Sequence, residues 1–176
     1  VGGRTFLLST DLTVVPANRV RRFKHSSFRG VPLVDVKVAG VQVKREAKLP
    51  IAFFRQAATV RYRLDGARFV ATPAKFKQRS WAGLMATGLV AKARGGYLQT
   101  RDSGGKPGDW VRVADATVIS AREKRPFGVK PGEKWMIVSI TSGTLVAYDD
   151  LVPIFATLVS PGQGGVPRAG GDATKD

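Results

Sequence analysis

The 176-residue chain contains no cysteine. Disulfides, thiolate metal sites and a cysteine nucleophile are therefore excluded from it. Histidine is nearly absent as well. The single one, His25, stands between Lys24 and Ser26 with no carboxylate nearby in sequence, so it reads as a solvated loop residue. A metal centre or an acid–base pair built on it would need partners that the sequence does not supply, and no cofactor is called for. No apolar run approaches the roughly 20 residues of a membrane-spanning helix. Aromatic residues are 9% of the chain. Most fall at core-like strand positions, which leaves few for an exposed base-stacking face and makes nucleic acid the least favoured partner. Acids are scarce too: 13 against 29 lysines and arginines, a formal charge of +16.

What is present bounds the answer from the other side. Hydrophobic residues are 43%, enough to bury a core and unlike a disordered composition. The length suits one medium domain or two small ones. The positive excess favours an anionic partner: nucleic acid, acidic lipid or an acidic wall polymer. The densest cluster, Arg19–Lys24, places Arg21, Arg22 and Lys24 in a predicted loop. These three are candidate wall contacts, set against the plainer reading of a wet basic face. The chain begins at Val1 without a charged-then-apolar leader, which reads as a cut or processed start.

Hydropathy alternates in short runs, which predicts an all-β chain. In residues 1–48, strands are expected at Thr5–Ser9 and near Leu12–Val15, then a basic loop over Arg19–Phe28. A hairpin over Val31–Arg45 turns at Ala39-Gly40. Residues 49–121 form a second block. Ile51–Phe54 and Val60–Leu64 are apolar or alternating, and Asp65-Gly66 is a hairpin signal leading into Arg68–Thr72. Ala74–Leu84 allows one helical turn after Pro73, although Gly83 opposes a long helix. Gly95-Gly96 joins Leu89–Ala93 to Tyr97–Thr100. Trp110–Ile119 closes the block after a polar loop. Close strand spacing with Gly and Asp turns predicts a small barrel-like unit with Trp110 in its core.

Arg122–Glu133, with two prolines and two glycines, reads as a linker. A weak internal repeat spans it. Gly2-Gly3, Asp11-Leu12, Ala17-Asn18 and Phe28–Val31 match, with gaps, Gly95-Gly96, Asp109-Trp110, Ala114-Asp115 and Phe127–Val129. Residues 1–31 are then the end of a truncated first unit.

The cleanest alternation lies in 134–176. In Lys134–Ile140, Trp135, Ile137 and Ser139 share one face, and Met136, Val138 and Ile140 the other. Strands Thr144–Tyr148 and Pro153–Ser160 follow, with Ser142-Gly143 suited to the first turn and Pro153 to a strand start or an edge. Trp135 and Tyr148 either line a substrate groove or belong to the core, and strand aromatics favour the core. Asp149-Asp150 reads as a turn rather than a paired-carboxylate site. Pro161–Asp176 has five glycines and little to bury, which predicts a mobile tail. Three strands running into such a tail read as a domain cut before completion.

Lys134–Gly165 (KWMIVSITSGTLVAYDDLVPIFATLVSPGQGG) resembles the opening strands of the L,D-transpeptidase catalytic domain. The matching residues include Lys134 and Trp135, the strand Thr144–Tyr148, Pro153, the strand Ala156–Ser160, and Gly162. Two departures stand out. Gly143 occupies the place of a frequent glutamine, and the turn Asp149-Asp150-Leu151 lacks the usual glycine. Tyr97–Arg101, Trp110–Val113 and Asp115 are similar to a segment of bacterial Src-homology-3-like modules. Such modules precede this catalytic domain in many envelope proteins.

The resemblance implies a periplasmic or otherwise extracytoplasmic protein whose partner is peptidoglycan, through its stem peptides or an anionic wall polymer. It implies acyl transfer through a cysteine thiolate that releases D-alanine from a donor stem, with a histidine moving the protons. That histidine and cysteine belong to a motif C-terminal to the matched stretch. No catalytic residue carries over to this chain, which is expected to be inactive alone. The competing expectations are a non-catalytic module that binds the wall or another polyanion, and a nucleic-acid-binding β-barrel.

Overall fold

The computed structural model describes residues 5–8, 10, 12–20, 28–88 and 90–160. Arg21, Arg22, Lys24, His25 and the 161–176 tail lie outside these residues.

Alternation and turn chemistry produce eighteen short strands and two single 3-10 turns, with no α-helix among the described residues. Strands β1 (Phe6–Leu8) and β2 (Val14–Pro16) form a hairpin. Strand β3 (Val31–Pro32) precedes a second hairpin of β4 (Val36–Val38) and β5 (Val41–Val43). Its turn is Ala39-Gly40, as expected, with φ of 48° and 84°. Positive φ at both central residues matches the twist of the flanking strands.

The second block contributes β6 (Ile51–Phe53), β7 (Ala58–Asp65), β8 (Arg68–Lys77) and β9 (Trp81–Leu84). After them come β10 (Ala86–Thr87), β11 (Val90–Ala91) and β12 (Ala93–Arg94). Strands β13 (Tyr97–Arg101), β14 (Pro107–Arg112) and β15 (Thr117–Ile119) complete it. Seven of these lie in the order β15-β6-β9-β13-β14-β7-β8, with β12 also on β13. The sheet is not closed into the expected barrel: β15 and β8 are its two ends and do not pair with each other.

The helical turn allowed after Pro73 does not form; β8 runs through the proline to Lys77. Val60 pairs with Lys75 but Tyr62 with Ala71. Thr72, Pro73 and Ala74 therefore bulge opposite Arg61. A proline has no N–H for the ladder, and a bulge is where that loss is tolerated. Thr72 Oγ1 donates to Arg61 O at 3.2 Å, which pins the bulge.

The third block forms β16 (Lys134–Ser139), β17 (Thr144–Asp149) and β18 (Val152–Leu158), an antiparallel meander. A strand from the first block extends it: β3 pairs with β18, giving the order β16-β17-β18-β3. The edge of β18 is thus partly covered, and β16 is the open edge. The approach is close. A Cβ on Gly30 would lie 2.1 Å from Phe155 Cζ and 2.8 Å from the Ala156 carbonyl oxygen.

Two cores result, and β6 is shared between them. Ile51, Ala52, Phe53 and Phe54 are all fully buried. Side chains alternate across a strand. Ile51 and Phe53 join Val31, Ile119, Tyr148 and Ala156 in one cluster. Ala52 and Phe54 join Phe76, Leu84, Leu98 and Val111 in the other. The first cluster draws on residues from 1–48, 49–121 and 134–176 together.

Two hairpins end in single 3-10 turns. β1 and β2 lead into a 3-10 turn at Ala17–Arg19, and β13 and β14 into one at Val113–Asp115. Ala17 N donates to Thr5 O and Val113 N to Gly96 O, each at 2.9 Å.

Candidate functional site

Arg61 lies opposite the β7–β8 bulge, and its side chain is 36% exposed. Its guanidinium lies over the Phe76 ring at 4.2 Å from the centroid, a cation–π contact. Nη1 donates to Asp109 Oδ2 at a long 3.4 Å. Nε is buried with no hydrogen-bond partner among the described residues. Arg61 is therefore incompletely satisfied by the protein around it.

Arg61 sits in a groove of about 920 Å³. One wall is the end of β8, where Lys75 and Lys77 are exposed on either side of buried Phe76. Trp81 and Gly83 of β9 and the segment Arg45–Lys48 also line it. Arg101 of β13 and the loop from Asp102 to Gly105 contribute to the end.

Two glycines shape it. A Cβ on Gly83 would lie 2.6 Å from Arg101 Nε and 2.8 Å from its Cγ, so the Arg101 side chain lies across the bare Gly83 backbone. Arg101 Nη2 then donates to the Lys48 carbonyl oxygen, fixing the guanidinium at the rim. At Gly108 a Cβ would come 2.9 Å from Thr100 Oγ1, and that hydroxyl donates to Asp109 O at 2.7 Å.

Six cations border the groove: Arg45, Lys48, Arg61, Lys75, Lys77 and Arg101. Three carboxylates border it too, Glu46, Asp102 and Asp109. Only Arg61 and Asp109 pair, so the other five cations make no ion pair among the described residues. The groove is a mixed field with three positive charges in excess, next to an aromatic surface. Such a site can hold carboxylate or phosphate oxygens in guanidinium forks.

Trp135 and Tyr148 are elsewhere. They are cross-strand partners in β16 and β17. Tyr148 is only 1% exposed and belongs to the first core. Trp135 is half-buried against it, and its Nε1 donates to Asp150 O at 2.6 Å. Neither lines the groove. Trp110 is also a core residue, edge-on to Phe69. Arg21, Arg22 and Lys24 lie outside the described residues.

The turn that lacks glycine is held by contacts instead. Asp150 takes φ of 55°, which aspartate tolerates better than most residues. Its carboxylate accepts from Arg125 Nε, and its N–H donates to Glu133 O. Arg125 holds the Asp150 carboxyl below the usual carboxylate range, chiefly through that hydrogen bond. Burial pushes the Tyr148 phenol up. The segment 122–133, expected as a linker, thus ties down the meander. Among the described residues no cluster of histidine, cysteine, aspartate or glutamate could hold a metal ion, and no helix is long and apolar enough to cross a membrane.

The groove residues escaped the sequence reading. Lys75 and Lys77 flank Phe76 at strand spacing, a signal hidden once Ala74–Leu84 was allowed a helical turn. Arg61, Trp81 and Arg101 are far apart in sequence and carry no local signature. Compared with protein-family models, curated proteins and solved structures, the chain matches none.

Proposed function

We propose that this chain supplies the wall-binding, non-catalytic part of an envelope protein of the L,D-transpeptidase type. The observation that carries the reading is the meander from Lys134 to Leu158. The residues that resemble the family's opening strands pair as an antiparallel meander, in unbroken register between β16 and β17 and with one bulge opposite Ala147 and Tyr148 in β18, and the Trp135–Tyr148 pair lies on the inward side. The outward side is apolar: Met136, Val138 and Ile140 are at least half exposed. Such a face suits a further layer of structure. With no cysteine among its residues, the chain has no thiolate to form an acyl-enzyme. Its part is to hold the polymer, and the basic groove and the charge of +16 supply the means.

Purified peptidoglycan sacculi test the reading. The chain should be retained at low salt and released as salt rises. It should form no new cross-links from soluble muropeptides. Absence of retention at low salt overturns wall binding, and cross-link formation by the chain alone overturns the non-catalytic role. The same charge excess favours a second reading, a general polyanion binder. Equal retention on single-stranded DNA, with a steep salt dependence, would favour it.

A further inference from the structure

We infer that the open edge of β16 pairs with the same strand of a second copy of this chain. The two strands run antiparallel about a two-fold axis at Ile137, which joins two four-stranded sheets into one of eight. The pairing is independent of wall binding.

The backbone is the starting point. β16 pairs with β17 on one side and ends its sheet on the other. Successive residues of an antiparallel strand turn their N–H and C=O groups to alternate sides. Asp150 N donates to Glu133 O just before the strand, so Trp135, Ile137 and Ser139 are the residues that bond to β17. Lys134, Met136 and Val138 therefore present their backbone groups to the open side. Among the described residues, no backbone group meets them there.

The ends of the two larger sheets are otherwise guarded. β8 carries Pro73, the bulge opposite Arg61, and the cations Arg68, Lys75 and Lys77. Such features keep an edge strand from pairing with another chain. β15, at the other end of that sheet, is only three residues long. β3 has two residues, and beyond it Pro32 O accepts from Glu46 N at 2.9 Å and from Ala47 N at 3.3 Å. β16 has no such protection. It is six residues long, holds no proline or glycine, and runs in unbroken register with β17. Its one charge, on Lys134, stands at its first position and is matched by Asp149 Oδ2 at 2.9 Å.

The sequence of β16 fits its own copy. With Ile137 opposite its counterpart, Met136 of each copy faces Val138 of the other. Both residues turn their backbone groups to the edge, so each facing pair exchanges two hydrogen bonds. Their side chains, 65% and 50% exposed, cover one another as cross-strand neighbours. The two Lys134 residues fall at opposite ends, about 20 Å apart along the strands, well beyond the screening length at physiological salt. Apolar meets apolar and no like charges oppose, which selects a second copy as the occupant. Because the β3 edge is capped, the two-fold contact closes at two copies instead of extending into a fibre.

Sedimentation velocity and amide exchange on the whole chain, over a range of concentrations, test the pairing. A monomer–dimer equilibrium is expected, with the Met136 and Val138 amides gaining protection as the dimer forms. Salt should strengthen it, because two copies of charge +16 repel, whereas retention on the wall weakens with salt. Val138→Pro removes an edge N–H that the β17 ladder does not use. It should weaken dimerisation at least about 10-fold, since the symmetry removes two bonds. Met136→Lys/Val138→Lys and Met136→Glu/Val138→Glu place like charges directly opposite, and each should remain monomeric. Mixed in equal amounts, the two should form a heterodimer, because opposite charges then face each other. Val70→Lys, at an exposed position of β8, should leave the equilibrium unchanged.

A chain that stays monomeric at its highest soluble concentration overturns the inference. Protection of the Met136 and Val138 amides in that monomer would assign the edge to another segment of the same chain. A dimer that survives Val138→Pro and both double variants overturns the assignment to β16. Failure of the folded lysine and glutamate variants to form a heterodimer overturns the register, and assembly beyond two copies overturns the closure.

Discussion

Trp135 stacks on Tyr148 across β16 and β17, ring planes parallel and centroids 4.0 Å apart. The pair ties the open edge strand to the core beneath it. The tryptophan Nε1–H reaches over the turn to the Asp150 carbonyl, so one side chain joins the edge strand, the core and the β17–β18 turn.

Removing that side chain should loosen the edge strand. Trp135→Ala is expected to cost about 2–4 kcal/mol, combining lost burial, the ring pair and the hydrogen bond. Trp135→Phe keeps the stack and loses the bond, and should cost about 1 kcal/mol. Urea midpoints at a common m-value provide the comparison. Equal stability of the alanine variant and the wild type would show that the pair contributes nothing.

Gly30 admits β3 to the edge of β18. An alanine there meets the Phe155 ring and, less forgivingly, the Ala156 carbonyl oxygen. Gly30→Ala should cost about 1–3 kcal/mol, as overpacking generally does. Amide exchange should show the damage first at Val31 and Ala156, which are register partners. Unchanged protection at both positions would mean that the strand pairing tolerates the methyl group.

Asp150 and Tyr148 predict opposite ends of the pH profile. The Asp150 carboxyl is lowered, first by its bond from Arg125. Its contribution is present above the unfolded value near pH 4 and is lost as pH falls through the lower folded value. Asp150→Asn keeps a residue tolerant of positive φ. It should be less stable than wild type at neutral pH, with the difference shrinking in acid. The Tyr148 phenol is raised, first by burial. Its contribution is complete below about pH 10 and is lost as pH rises through the higher folded value. Tyr148→Phe should therefore flatten the alkaline limb. Thermal melts from pH 3 to 11 resolve both limbs. Parallel curves for a variant and the wild type would remove the corresponding assignment.

Local chemistry was legible along the chain. Alternation marked Lys134–Ile140, and the half-buried face is the one bearing Trp135 and Ile137, as the pattern required. Ala39-Gly40 and Gly95-Gly96 fall at turns with positive φ at both residues, because a tight hairpin demands that backbone and glycine supplies it cheaply. Asp65-Gly66 was one residue early. The two-residue loop is Gly66-Ala67, closed by the pair Asp65 and Arg68.

What the sequence determined by itself was the all-β character, most of its turns, and the exclusion of thiol chemistry, since each depends on residue type or on neighbours a few positions apart. Tertiary structure alone decided which strands meet. Nothing local says that β3 will pair with a strand over a hundred residues later, or that β6 will serve two cores. The groove is of the same kind. Arg61, Gly83 and Arg101 are each unremarkable in sequence. They line one groove because the strands that carry them meet in the sheet and Gly83 leaves room for Arg101, and such proximity is set by the folded sheet rather than by any local pattern.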